Sequence, residues 1–266
     1  MSSREAAPGA PARRFRARVE YDGTDFAGFQ VQPGVRTVQG ELETALAKLG
    51  NGQRQPVDGA GRTDAGVHAI GQVIAFTYAG RLTAAELGRA LDALLPPDVA
   101  IRDVRQAPAQ FHPRYAARYR EYRYTVWNGP RSPLRERTAL GVRVPLDTAA
   151  MERAGSAFIG RHDFTAVGAV GAADRSPVRT VHSVRVRRDG PLVTIDVRAD
   201  AFLRGMVRRI VAVLLEVGRG KMNETDVRAA LAARAPALDG ATAAAKGLCL
   251  RRVALGRRAG EAYGDD

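Results

Sequence analysis

From Arg14 to Tyr21 the apolar residues Phe15, Ala17, Val19 and Tyr21 take every second position, and charged residues fill the gaps. A period of two sets one face of an extended chain on a core and the other in water, so this stretch predicts a half-buried strand. Asp22-Gly23 ends it. From Thr37 to Leu49 the apolar positions 38, 42, 45, 46 and 49 follow the helical spacing, and Gly50 is a stop signal. Gln72 to Tyr78 predicts a strand. Thr83 and Glu86 form a capping-box pattern, in which each side chain satisfies the other's backbone N–H, and the helix it opens is expected to run to Pro96. Val99 to Arg105 predicts the next strand.

The second half repeats this grammar. Glu121 to Trp127 predicts a strand ended by Asn128-Gly129-Pro130, and Asp147 to Ile159 a helix. Val178–Arg188 and Leu192–Arg198 alternate as two strands, with Asp189-Gly190 as the expected hairpin turn. Ala201 to Gly218 predicts one long apolar helix, Asn223 to Arg234 another, and Leu248 to Ala254 a last strand. The expected class is α+β: two similar domains, each a mainly antiparallel sheet flanked by helices, with a central cleft. The domains are placed at 13–110 and 111–256, with 1–12 and 257–266 as flexible tails rich in Ala, Gly, Pro and charge. The likeness of Arg16–Gly23 to Glu121–Gly129 hints at a duplication.

Composition narrows the partner. The 266 residues carry a net charge of +13 with a pI near 10.8. Only Lys48, Lys221 and Lys246 are lysines, so arginine supplies nearly all of the positive charge. The planar guanidinium grips phosphate and stacks on bases, which points to a nucleic acid. A GC-rich genome explains arginine over lysine but not the excess over acids. No apolar run approaches the roughly 20 residues that cross a bilayer, and the first residues lack an apolar signal core. The expected setting is cytoplasmic, with no membrane partner. Cys249 is the only cysteine, which rules out an intrachain disulfide or a cysteine-based zinc site. The four histidines show no ligand spacing and read mainly as structural, so no metal is expected.

One segment carries candidate chemistry. In Gly59-Ala60-Gly61-Arg62-Thr63-Asp64-Ala65-Gly66, small residues bracket one base and one acid. Small residues admit a ligand or another backbone closely. Arg62 and Asp64, two positions apart, are able to pair, and a positioned carboxylate can attack an electrophilic carbon. By itself the segment reads more readily as an Asp-Ala-Gly turn beside a solvated arginine than as a catalytic loop.

Gly61-Arg62-Thr63-Asp64-Ala65-Gly66-Val67-His68 resembles the catalytic-loop signature of the TruA family of pseudouridine synthases. Four further segments resemble that family in the same order: Tyr21 to Gln30, Thr37 to Leu42, Phe111 to Arg114 together with Arg120 to Tyr124, and Ala201 to Arg208. The resemblance spans about residues 14–255. It implies that Asp64 is the catalytic aspartate, that Arg62 wedges into the stack as the target base leaves, that Tyr122 packs on that base, and that Arg208 pairs with the aspartate. Arg208 also carries an argument of its own, because a lone charge in an apolar helix needs a partner. Arg204-Gly205 stands where many members carry a histidine pair, and Arg209 where many carry Asn.

The resemblance further implies isomerisation of uridine to pseudouridine in the anticodon arm of tRNA, at positions 38, 39 and 40, by a homodimer that needs no cofactor and no DNA. The N1–C1′ bond breaks, the uracil rotates, and C5 joins C1′. Three routes stay open for Asp64: attack on C1′, help in losing the C2′ proton, or addition to uracil C6. The base must leave the stack first, at a cost of a few kcal/mol. Two other classes compete: an RNA-binding protein on the same scaffold that dispenses with Asp64, and a metal-dependent nuclease using Asp22, Asp25 and Asp64. The intact loop argues against the first. The Gly-rich turn around Asp22 and Asp25 argues against the second.

Overall fold

The computed structural model describes residues 11–50, 52–171, 176–234 and 242–256. The expected tails therefore lie outside the described residues, apart from positions 11 and 12. The first half supplies β1 (Arg13–Tyr21), α1 (Val38–Leu49), β2 (Val57–Gly59), β3 (His68–Tyr78), α2 (Ala84–Leu94) and β4 (Val99–Gln106). A short helix, α3 (Pro113–Ala116), leads into the long strand β5 (Ala117–Asn128). There follow β6 (Leu140–Val142), α4 (Thr148–Gly155), β7 (Gly160–Asp163), β8 (Val178–Asp189), β9 (Leu192–Ala199), α5 (Met206–Gly218), α6 (Glu224–Ala233) and β10 (Leu248–Leu255). No described helix is long and apolar enough to cross a membrane.

These strands form one ten-stranded sheet in the order β4-β1-β3-β10-β5-β9-β8-β7, with β2 on β3 and β6 on β5. Most neighbours are antiparallel, and the class is α+β as expected. Strands of the first half meet those of the second only through β10, which runs parallel to β3 at Cys249–His68 and Leu250–Ala69 and antiparallel to β5.

Local rules explain most element ends. Thr37 Oγ1 accepts the Gly40 N–H and caps α1. Both halves of the Thr83–Glu86 capping box are present on α2. In β1 the alternation holds, with Phe15, Ala17, Val19 and Tyr21 buried in the core. The same period runs along β5, where Tyr122, Tyr124 and Val126 face inward.

Two expectations are corrected. The long helix begins at Met206, not Ala201. Arg204 instead pairs with Ala169, whose N–H donates to the Arg204 carbonyl at 3.0 Å. Gly205, with φ of +70°, then turns the chain into α5. The hairpin turn is Gly190-Pro191, one residue later than expected, because Asp189 still pairs with Leu192. Gly190 takes φ of +54°, and proline fixes the next position, which suits a tight two-residue turn.

Candidate active site

The loop after β2 is fixed almost entirely through its backbone. The Ala60 N–H bonds the Val73 carbonyl, and Gln72 Nε2 donates to the Gly61 carbonyl. The Thr63 carbonyl accepts from Phe29 N–H, and the Asp64 carbonyl from Val67 N–H. The Thr63 side chain is buried and shares a 2.8 Å hydrogen bond with the Tyr21 hydroxyl. Burial pushes the Tyr21 phenol well above its ordinary range. Two glycines of the Tyr21–Gln30 segment make room for this loop. A Cβ on Gly23 would lie 2.0 Å from the Val67 oxygen, and one on Gly28 2.9 Å from the Thr63 oxygen. With Thr63 turned inward, its neighbours Arg62 and Asp64 are left facing the cleft.

The cleft has a volume of about 950 Å³ and is lined from both halves, by Arg62 and Asp64 from the first and by Tyr122, Phe202 and Arg208 from the second. Asp64 Oδ2 lies 3.5 Å from Arg208 Nη1. Arg208 stands in the first turn of α5, the end where the helix dipole disfavours a cation. Three partners compensate: Asp64, the Ala243 carbonyl at 2.7 Å from Nε, and Thr242 Oγ1 at 3.1 Å from Nη2. Arg62 is exposed and makes no ion pair among the described residues, so the local Arg62–Asp64 pairing does not form. Tyr122 packs its ring edge-on against Phe202 at 5.2 Å. Burial and the nearby Asp64 charge push its phenol up to about 12, against the opposing pull of Arg120. It is thus a neutral wall of the cleft through the physiological range.

Arg120 escaped the sequence reading. It is only 9% exposed and shares the inward face of β5 with Tyr122. Its guanidinium donates to the backbone carbonyls of Ala60, Asp200 and Arg114, so one side chain ties three segments together under the cleft. Burial pulls its pKa below the ordinary arginine range. A charge at the head of a buried period-two run was the available signal. His68 is buried as a bridge: its Nδ1 accepts the Gly23 N–H, and its Nε2 lies 2.9 Å from the Arg137 carbonyl. Arg137 binds both Asp22 and Asp25. Those two acids therefore staple the second half to the first. No group of three or more His, Cys, Asp or Glu placed to hold a metal occurs among the described residues.

The family described as tRNA pseudouridine synthase matches this chain over residues 17–116 and again over 154–254. The chain belongs to that family. It is 43% identical over 242 residues to tRNA pseudouridine synthase A of Geotalea uraniireducens, covering 91% of this chain and 99% of that protein. It is 44% identical over 242 residues to the protein of the same name from Brevibacillus brevis, again covering 91% and 99%. Against that of Geobacillus kaustophilus the identity is 41%, with 91% and 94% covered. Within a pseudouridine synthase, an isomerase, the cleft around Asp64 becomes the place to look for the reaction.

Proposed function

We propose that the protein isomerises uridine to pseudouridine in the anticodon stem-loop of tRNA, at positions 38, 39 and 40, with Asp64 as the catalytic carboxylate and without a cofactor. The observation that carries this reading is the Asp64–Arg208 ion pair in a cleft walled by Tyr122. The carboxylate is 38% exposed, open to a substrate from one side and held by a cation from the other. Tyr122 packs against the uracil that enters. Arg62, exposed and unpaired at the cleft, fills the stack that the base has left. Arg208 orients Asp64 and balances its charge as the glycosidic bond breaks. Serving three neighbouring positions calls for recognition of shape and backbone more than of base identity, which suits an arginine-rich surface.

The same reading makes the protein a cytoplasmic homodimer, with tRNA lying across both subunits, and divides the chain into domains at 13–110 and 111–256.

The test is tritium release from C5-labelled uridine in tRNA. Asp64→Asn should bind tRNA and release no tritium above background. Release near the wild-type rate would overturn the role of Asp64. Pseudouridine mapping at positions 38–40 of the treated tRNA checks the site.

A further inference from the structure

We propose that Tyr115, backed by His112, is a stacking platform for an unpaired RNA base beside the uridine being isomerised. The inference rests on the reading that RNA enters this cleft. Tyr115 is 69% exposed, yet it lines the same cleft as Asp64. Its ring lies 4.6 Å from the His112 ring, centroid to centroid. The two rings are tilted by 43°, so His112 braces one side of Tyr115 while the Tyr115 ring stays open to solvent.

The platform is held in place from two directions. His112 Nδ1 accepts the Arg114 N–H and caps α3, which fixes the imidazole. His112 Nε2 lies 3.8 Å from Asp58 Oδ1, and Asp58 is itself bound by Arg14. Asp58 belongs to β2, the strand that runs directly into the Asp64 loop. From below, Arg120 donates to the Arg114 carbonyl with the same guanidinium that grips Ala60 in that loop. The ring of Tyr115 is therefore registered to the Asp64 loop through backbone, the buried Arg120 and the partly exposed His112 and Asp58. The exposed Arg114 lines the cleft with it, placed for a phosphate beside the stacked nucleotide.

Every base has a π-face, so a stacking contact tolerates sequence changes. That property suits an enzyme whose target moves among three adjacent positions. A mobile flanking base resting on Tyr115 would let the strand shift by a nucleotide without loss of grip.

The experiment uses the full-length protein and transcribed tRNA. Tyr115→Leu keeps an apolar side chain but removes the π-face, and Tyr115→Phe keeps the π-face while removing only the hydroxyl. Tyr115→Leu should raise Kd and KM by roughly 5- to 100-fold with kcat at saturation within about twofold. Tyr115→Phe should match the wild type. The thermal midpoint should be unmoved in both, since the side chain is exposed. Photocrosslinking of 5-iodouridine-substituted tRNA should label the peptide that contains Tyr115. Unchanged binding by Tyr115→Leu, or equal losses in Leu and Phe variants, would overturn the platform. A wild-type protein that neither binds tRNA nor forms pseudouridine would instead overturn the reading of the cleft.

Discussion

Arg208 Nη1 sits 3.5 Å from Asp64 Oδ2 across 144 residues of chain. The contact joins the first turn of α5 to the loop after β2, and among the described residues neither side chain has a charge partner of the opposite sign nearer in sequence. Both side chains are partly open, at 21% and 38%, so the pair adds little to stability, and under the proposed function its effect falls on the reaction. Arg208→Met should lower single-turnover tritium release by roughly 100-fold, in the range for loss of one preorganised electrostatic contact. The thermal midpoint should fall only modestly, through loss of the donors to the Ala243 carbonyl and Thr242. A variant with wild-type turnover would show that Asp64 works without this cation.

Arg120 should behave in the opposite way. Arg120→Gln leaves the carbonyls of Ala60, Asp200 and Arg114 short of donors in a buried setting. The expected loss is about 2–4 kcal/mol in urea unfolding, with turnover reduced in the fraction that folds. Arg120→Lys should recover part of both. Urea midpoints and single-turnover rates, measured together, separate the two effects.

Glycines at close approaches set a third expectation. A methyl on Gly23 meets the Val67 backbone oxygen at 2.0 Å, so Gly23→Ala must push the Asp64 loop aside. It should destabilise by about 2 kcal/mol or more and cut activity further. Gly141 has nothing within 4 Å of the same added atom, and Gly141→Ala should leave both measurements near the wild type.

The Asp22 carboxyl lies below its ordinary value of 3.8. Burial works against this but is outweighed by hydrogen bonds from Thr24 and Arg137. The folded state therefore binds this proton less tightly than the unfolded chain does. The stability it contributes is present above the unfolded pKa and is lost as pH falls through the folded one. Asp22→Asn should make thermal stability less sensitive to pH between about 5 and 3, as seen by calorimetry across that range.

Much of this architecture could be read from residue pattern, and the exceptions have physical causes. The alternation in β1 and the capping box of α2 are local signals answered by local structure. The early start assigned to α5 failed because Arg204 found a strand-like partner in Ala169, a tertiary contact invisible to helical periodicity. The strands β2 and β6, three residues each, are too short to show a period. At the site, the charge of Arg208 in an apolar helix called for a partner, and the family resemblance named Asp64 as that partner. Arg120 was not, because its partners are backbone carbonyls, and a carbonyl has no letter in the sequence.

The late position of β10 has a consequence for synthesis. This strand, Leu248–Leu255, is the seam between the strands of the two halves, and the Asp64 loop and α5 are built on opposite sides of it. A ribosome-bound chain that has emerged only as far as α5 already holds every residue of the ion pair but lacks the strand that aligns them. Competence for isomerisation should therefore arise all at once, near the end of translation, and not grow gradually with chain length.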